Sequence, residues 1–311
     1  MKIGITGGAG FIGSNLALDL IKSGHEICIF DNLETGFVEN ISEFKSEFIK
    51  GDLRDYNEVK NFFDKTEIEY CVHLGALGSV PRSIDNPRAS FESNSIATLN
   101  VLECAKLTST PVLFSSSSSV YGSNLKLPKT EKDWLAPISP YAASKLAAEA
   151  LTMAFGNSYG LPVIAYRLFN VYGPMQNPES VYSAVIPKWI FAAFRKKPII
   201  VFGDGEQKRD FTFVNDVTYL FKKSIEERLV SNYPINLAFG KSITLNSILK
   251  VFKTYFGEID LEYRGLRQGD IKDSESNPET LYKLHNYDTI HTEISDGLLQ
   301  TFEWYKSRYN F

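Results

Sequence analysis

Cysteine is scarce in this chain of 311 residues. Its three cysteines, Cys28, Cys71 and Cys104, lie far apart and form no C-x-x-C pair. Neither a disulfide framework nor a cysteine zinc site is expected. Four histidines give a metal enzyme little to work with, so no metal is expected. No apolar run reaches the roughly 18 residues that a membrane-spanning helix needs. Lys2 leads directly into Ile3-Gly4-Ile5-Thr6 with no secretory leader ahead of it. A reduced, cytoplasmic protein is the expectation. Neither charge sign dominates: 33 Lys+Arg stand against 37 Asp+Glu, a net of −4. That balance gives no electrostatic reason to expect a nucleic-acid or anionic-membrane partner.

What is present is globular. Apolar residues make up 43% and charged residues 23%, close to the average for folded domains, which excludes a disordered, collagen-like or coiled-coil chain. The length suits about two domains of roughly 150 residues each, with a core large enough to need no cross-links.

Short apolar runs alternate with helix-like stretches in the first half. Strands are expected at Lys2–Thr6, His25–Phe30, Glu47–Lys50, Glu69–Leu74, Val112–Ser115 and Val163–Leu168. Helices are expected at Phe11–Ser23, Asn57–Lys65, Ala89–Leu107 and Tyr141–Tyr159. Such alternation predicts an α/β fold, a Rossmann-type doubly wound parallel sheet covered by helices on both faces. After about Asn170 the pattern loosens around Pro174, Pro178, Pro187 and Pro198. A smaller, mixed α/β C-terminal substrate domain is expected there. The predicted division assigns 1–168 and 212–238 to the dinucleotide-binding domain, and 169–211 and 239–311 to the substrate domain.

Gly7, Gly10 and Gly13 stand in the turn between the first strand and the first helix. Glycines so spaced let backbone approach a ligand closely, and a helix N-terminus offers free N–H groups to a pyrophosphate. This is the position of the dinucleotide-binding fingerprint. Asp31 ends the second strand, 18 residues beyond Gly13. A carboxylate there suits ribose hydroxyls and repels a 2′-phosphate, which favours NAD over NADP. Asp52, after the third strand, is positioned to take the adenine amino group.

Tyr141-Ala142-Ala143-Ser144-Lys145 carries the chemistry. Residues four apart share a helix face, so Lys145 is expected to hold its ammonium near the Tyr141 phenol. A free tyrosine titrates about three units above neutrality, a gap of roughly 4 kcal/mol. A fixed ammonium and a positive nicotinamide both favour the phenolate, making Tyr141 a usable base for a sugar hydroxyl. Ser117 lies at the end of the fifth strand, just past Ser115, and is the expected companion hydroxyl. Ser116, Ser118 and Ser119 compete for that role, and the sequence does not rank them.

Taken together, these motifs resemble an extended short-chain dehydrogenase/reductase of the NAD-dependent nucleotide-sugar epimerase/dehydratase family, most like UDP-N-acetylglucosamine (UDP-hexose) 4-epimerases. The likeness runs nearly end to end. It takes in Gly7-x-x-Gly10-x-x-Gly13, Asp31-Asn32, Gly51-Asp52-Leu53, His73-Leu74-Gly75-Ala76, Ser117 with Val120-Tyr121-Gly122, and Tyr141-x-x-x-Lys145. Arg167-Leu168-Phe169-Asn170, Val171-Tyr172-Gly173-Pro174, Gly203-Asp204-Gly205, Arg209-Asp210-Phe211 and Arg267-x-Gly269-Asp270 complete it. The resemblance implies bound NAD against Gly7, Gly10, Phe11, Ile12, Gly13, Asp31, Asn32, Asp52, Leu53, Leu74, Ala76, Asn94, Ser115, Tyr141, Lys145 and Leu168. It implies a homodimer through the helices around Ala89–Leu107 and Tyr141–Tyr159.

Members share oxidation at sugar C4 and differ in the fate of the keto sugar. The 4,6-dehydratases resemble one another in an Asp-Glu pair just after the Ser/Thr position, and nucleotide-sugar decarboxylases have a glutamate where Ser119 stands. This chain has Ser118-Ser119, and neither serves as that acid or base. What remains is C4 epimerisation. By the same resemblance Arg209 and Arg267 clamp the diphosphate, Asn170 contacts phosphate, and Asp270 binds the nucleotide ribose. Arginine suits this because its planar fork bonds two phosphate oxygens at once. The Ala184–Trp189 segment, with Val185 and Lys188, resembles the uridine-contacting stretch of the UDP-N-acetylhexosamine enzymes.

Two features bear on the sugar. The Leu77–Ser83 stretch resembles the substrate loop of UDP-GlcNAc/UDP-GalNAc epimerases, with Ser79 reaching the sugar and Ser117, Ser118 and Ser119 beneath it. Ser274 stands where enzymes restricted to non-acetylated hexoses resemble one another in a tyrosine; a small residue leaves room for an acetamido group. The rivals are a UDP-glucose or UDP-glucuronate 4-epimerase, a net oxidoreductase releasing NADH, and an inactive NAD-binding regulatory protein. The simultaneous presence of Ser117, Tyr141 and Lys145 opposes the last.

Overall fold

The structure, a computed structural model, describes residues 1–42, 44–179, 184–265 and 273–311. The first half runs β1 (Lys2–Thr6), α1 (Phe11–Lys22), β2 (Glu26–Asp31), β3 (Glu47–Lys50), α2 (Tyr56–Thr66), β4 (Tyr70–His73), α3 (Val80–Asp85), α4 (Pro87–Phe91), α5 (Ala97–Thr108), β5 (Val112–Ser117), α6 (Pro140–Tyr159) and β6 (Val163–Leu168). The second half runs β7 (Val171–Tyr172), α7 (Val185–Phe194), β8 (Ile199–Phe202), β9 (Lys208–Asp210), β10 (Thr212–Phe213), α8 (Val214–Glu226), β11 (Ile235–Leu237), β12 (Ser242–Thr244), α9 (Leu245–Phe256), β13 (Leu261–Arg264), α10 (Glu279–Leu284) and α11 (Ile294–Tyr309).

Among the described residues, seven strands form one parallel sheet in the order β11-β6-β5-β4-β1-β2-β3. The order reverses between β1 and β4, and a ligand crevice opens at the carboxyl ends of the strands at such a switch point. Both faces are apolar because both are covered. One core gathers Ile3, Ile5, Leu16, Leu20, Val72, Ile164 and Tyr166 with Val217, Leu220 and Phe221 of α8. The other gathers Phe30, Phe62, Phe63, Val101, Leu102 and Phe155. The strands therefore read as continuous hydrophobic runs rather than alternating ones. A third core, with Ile186, Trp189, Ile190, Phe252, Leu298, Phe302 and Tyr305, holds together α7, α9 and α11 over the short two-stranded ribbons of the second half.

Two differences from the sequence reading matter for function. Strand β5 runs two residues further than expected, to Ser117, because Ser116 and Ser117 pair with Arg167 and Leu168 of β6. A partner strand keeps a serine run extended that would be a loop on its own. The expected helix Ala89–Leu107 starts at Pro87, capped by the Asn86 side chain, and is interrupted by a π-helical turn at Glu92–Ile96 before α5. A π-turn inserts one extra residue and re-aims the side chains around it, here Asn94.

Candidate active site

The carboxyl ends of the sheet and the second half enclose a cleft of about 1060 Å³. At one end lies the glycine turn. Gly7 has φ +70°, a left-handed conformation that glycine adopts without strain. A Cβ on Gly13 would stand 2.4 Å from the Gly7 carbonyl oxygen. Turn and helix thus touch backbone to backbone, leaving the N-terminus of α1, with Phe11 and Ile12, open on the cleft. This is a cradle that fits the pyrophosphate of a dinucleotide.

Asp31 is buried beside it. Its carboxylate accepts the Ala9 amide at 3.0 Å and the Leu33 amide at 2.8 Å. Burial raises its pKa, and these two bonds oppose the rise. Asp52 lies further out with Asn32 and Leu53. Arg54 grips its carboxylate through Nε at 2.9 Å and Nη2 at 2.5 Å, which holds its pKa down at about 2. Glu34, Arg54 and Ser93 also line this end. Glu34 lies 3.7 Å from Arg54 and 3.7 Å from Arg82, a cluster that sequence spacing does not reveal.

Leu74, Ala76, Ser115, Ser117, Tyr141, Lys145 and Leu168 meet at the middle of the cleft. Ser139 caps α6, accepting the Ala142 amide at 3.2 Å, and Pro140 occupies its first turn, which fixes where Tyr141 emerges. Burial pushes the Tyr141 phenol above its ordinary value, and a hydrogen bond from Ser117 draws it partway back. Lys145 lines the cleft with Tyr141, one helical turn away on α6. Its Nζ donates to the Ser115 carbonyl and sits 4.6 Å over the Phe114 ring. Burial lowers its pKa to about 7, with Glu149, one helical turn on, opposing. An ammonium taken from water goes to the nearest fixed acceptor, and that acceptor is the end of β5.

The serine run is resolved by strand alternation. Ser116 faces α6 and donates to Glu149 at 2.6 Å. Ser117 accepts the Ser119 hydroxyl at 2.9 Å and the Ser119 amide at 3.2 Å, which leaves its own proton for the phenol oxygen. Ser118 and Ser119 line the cleft from the 3-10 turn Ser118–Tyr121. Asn94, expected against the cofactor, is buried. Its amide takes the Leu77 amide at 2.7 Å and donates to Ser144 Oγ at 2.8 Å, so it ties the Leu77 loop to α6.

At the far end Asn170, Val185, Lys188, Arg209 and Ser274 line the cleft. Asn170 has φ +37° and donates through Nδ2 to Ser274 Oγ at 3.0 Å and to the Asp210 carbonyl at 3.2 Å. Ser79 lines the cleft as well, with its hydroxyl capping α3 by accepting the Arg82 amide at 3.3 Å. Arg267 and Asp270 lie outside the described residues. Trp189, Phe202, Gln207 and Phe211 also line the cleft; Phe202 and Gln207 carry no motif of their own and gain a role only from where β8 and β9 converge.

Comparison with known proteins agrees with this geometry. A sequence profile described as the NAD dependent epimerase/dehydratase family matches residues 3–238. A UDP-N-acetylglucosamine 4-epimerase from Methanobrevibacter ruminantium M1, solved in complex with UDP-N-acetylmuramic acid, is 36% identical over 99% of this chain and 98% of its own, with a TM-score of 0.92. A UDP-glucose 4-epimerase from Thermotoga maritima, solved with UDP-glucose, is 31% identical over 99% of this chain and 100% of its own, with a TM-score of 0.93. A UDP-glucuronate 4-epimerase from Thermodesulfobacterium geofontis is 32% identical over 97% of this chain and 95% of its own.

Proposed function

The chain belongs to the NAD-dependent epimerase/dehydratase family, and on that footing we propose that it inverts C4 of a UDP-hexose, with UDP-GlcNAc/UDP-GalNAc as the preferred pair. The observation that carries the reading is the meeting of Ser117, Tyr141 and Lys145 between a dinucleotide cradle and a second, polar end of the same cleft. Bound NAD⁺ supplies the hydride acceptor, the positive ring that favours the phenolate, and later the returning hydride.

The protein does the rest. Tyr141, through its phenolate, takes the proton of the C4 hydroxyl. Ser117 donates to that phenolate and passes protons between it and the sugar oxygen. Lys145, held by the Ser115 carbonyl, keeps positive charge beside the site. The 4-keto sugar turns over in the cleft, and Tyr141 returns the proton to the new hydroxyl. Ser118 and Ser119 replace the Asp-Glu pair that water elimination uses, which supports epimerisation over dehydration.

Val185, Lys188, Arg209 and Asn170 are assigned to the nucleotide and its diphosphate, as are Arg267 and Asp270, and Ser79 to the sugar. The acetamido preference rests on Ser274. A serine there, which accepts the Asn170 amide, leaves the wall open where a tyrosine would fill it. The assembly is read as a homodimer: Phe91 and Ile96 are 48% and 39% exposed beside Leu99, Ala147 and Leu151, one apolar face on α5, α6 and the π-turn. Among the described residues no helix is long and apolar enough to cross a membrane, and the three cysteines are free and buried, in keeping with a cytoplasmic site of action.

The test is incubation with UDP-GlcNAc, UDP-glucose and UDP-glucuronate separately, with the C4 epimers separated and quantified. Conversion without added NAD⁺ in stoichiometric amount is expected, fastest for the acetamido sugar. Tyr141→Phe is expected to abolish conversion while NAD stays bound; retained turnover would remove Tyr141 as the base.

A further inference from the structure

A buried polar cluster lies directly behind the reacting groups. Ser116 and Arg167 are cross-strand partners on β5 and β6, and both reach one carboxylate on α6. Glu149 accepts the Ser116 hydroxyl at 2.6 Å, Arg167 Nε at 2.9 Å and Arg167 Nη2 at 2.7 Å. The Glu149 and Arg167 side chains are 4% and 3% exposed. Arg167 is anchored in turn by the Tyr121 hydroxyl at 2.8 Å, which donates to Asn236 Oδ1 at 2.6 Å on β11.

Such a pair is a poor way to gain stability, since its desolvation cost rivals its attraction. Its position is more telling. Ser116 is flanked by two residues that face the reacting groups: the Ser115 carbonyl takes Lys145 Nζ, and Ser117 lines the cleft with Tyr141 and lowers the pKa of its phenol. Ser116 itself makes neither contact.

We propose that Glu149 is a positioning residue for the reaction: clamped by Arg167, it pins Ser116 and so fixes the Ser115 carbonyl for Lys145 and the Ser117 hydroxyl for Tyr141. The inference rests on the epimerase reading above for its effect on turnover, and on geometry alone for its effect on the phenol. Glu149 has a second, electrostatic consequence. It stands four residues after Lys145 on α6, and its negative charge holds up the pKa of that buried ammonium.

The experiment uses the NAD-loaded protein with Ser116→Ala and Glu149→Gln. Two readouts are taken: kcat and KM for the best UDP-sugar across pH, and the phenolate absorbance of Tyr141, titrated with Tyr141→Phe as the blank. Ser116→Ala leaves the ion pair intact. It is expected to lower kcat about tenfold or more by loosening the reacting geometry, with KM and NAD content kept. The Tyr141 titration should move to higher pH as the Ser117 bond weakens.

Glu149→Gln still accepts the Ser116 hydroxyl but removes the charge. The alkaline fall of kcat should then move to lower pH, because Lys145 loses its proton sooner, and the now unpaired Arg167 acts in the same direction. Wild-type kcat and a wild-type Tyr141 titration in Ser116→Ala would overturn the proposal. So would reduced activity in both variants with the titration and the alkaline limb unmoved, since that is mere loss of structure. If Glu149→Gln does not fold, Ser116→Ala decides. If the unaltered protein turns over no UDP-sugar, the epimerase reading fails, and the phenolate titration still decides the role of Glu149.

Discussion

The Ser119 hydroxyl donates to the Ser117 oxygen at 2.9 Å. With the Ser119 amide on the same oxygen at 3.2 Å, the Ser117 hydroxyl is held from the 3-10 turn. Ser117 in turn lowers the pKa of the Tyr141 phenol, as a donor to the phenolate does. The bond has a direction, and proton transfer at a sugar hydroxyl needs one.

From that direction a graded loss follows. Ser117→Ala is expected to lower kcat about a hundredfold, the usual scale for a positioned proton-transfer group. Ser119→Ala leaves Ser117 free to rotate and is expected to cost about tenfold on the same scale. Initial rates on the best UDP-sugar check both. Equal rates for Ser119→Ala and the unaltered enzyme would leave the relay without its second member.

The cradle makes a sharper demand. An alanine at position 13 puts its methyl 2.4 Å from the Gly7 carbonyl oxygen, a backbone contact that no rotamer relieves. Gly13→Ala is expected to weaken NAD binding more than about tenfold, or roughly 1.4 kcal/mol. Calorimetric titration of cofactor-stripped protein measures it, and unchanged affinity would place the pyrophosphate elsewhere.

Sugar choice should respond to one side chain. Ser274→Tyr fills the wall of the far end and also removes the oxygen that takes the Asn170 amide. The expected result is a selective loss of kcat/KM for UDP-GlcNAc, with UDP-glucose less affected. A single hydrophobic-contact difference is worth about 1–3 kcal/mol, or some 10- to 200-fold. An equal loss on both sugars would assign the residue to Asn170 alone.

His73 predicts an acid limit to stability. Its ring is buried, with Nδ1 2.7 Å from the Thr6 hydroxyl and Nε2 2.9 Å from the Thr98 hydroxyl. Burial, then the charge of Lys145, lowers its pKa to about 3 from an ordinary 6.5. Below pH 6.5 the unfolded chain binds a proton there and the folded protein does not. Stability contributed by neutral His73 is thus complete above pH 6.5 and falls as pH drops toward 3, at up to about 1.4 kcal/mol per pH unit. Urea midpoints between pH 7 and 5 measure the slope. His73→Asn should flatten it, and an identical slope in that variant would exclude the imidazole as its source.

Much of this protein was legible in its sequence. The glycine turn, the apolar strands of the first half and the Tyr141-x-x-x-Lys145 spacing are local patterns. Strand and helix periods, and the needs of a backbone that must touch a ligand, write such patterns directly into consecutive residues. The division of labour among four adjacent serines was not legible, because it depends on which face of β5 each one occupies and where the strand ends. That end is set by pairing with β6, over 40 residues downstream. The direction of Lys145 toward the Ser115 carbonyl, the bonds of Asn94 to Leu77 and Ser144 and the capture of Ser116 by Glu149 share the same cause. A buried polar group goes to whichever acceptor the packed elements bring within about 3 Å, and only the assembled tertiary structure decides which acceptor that is.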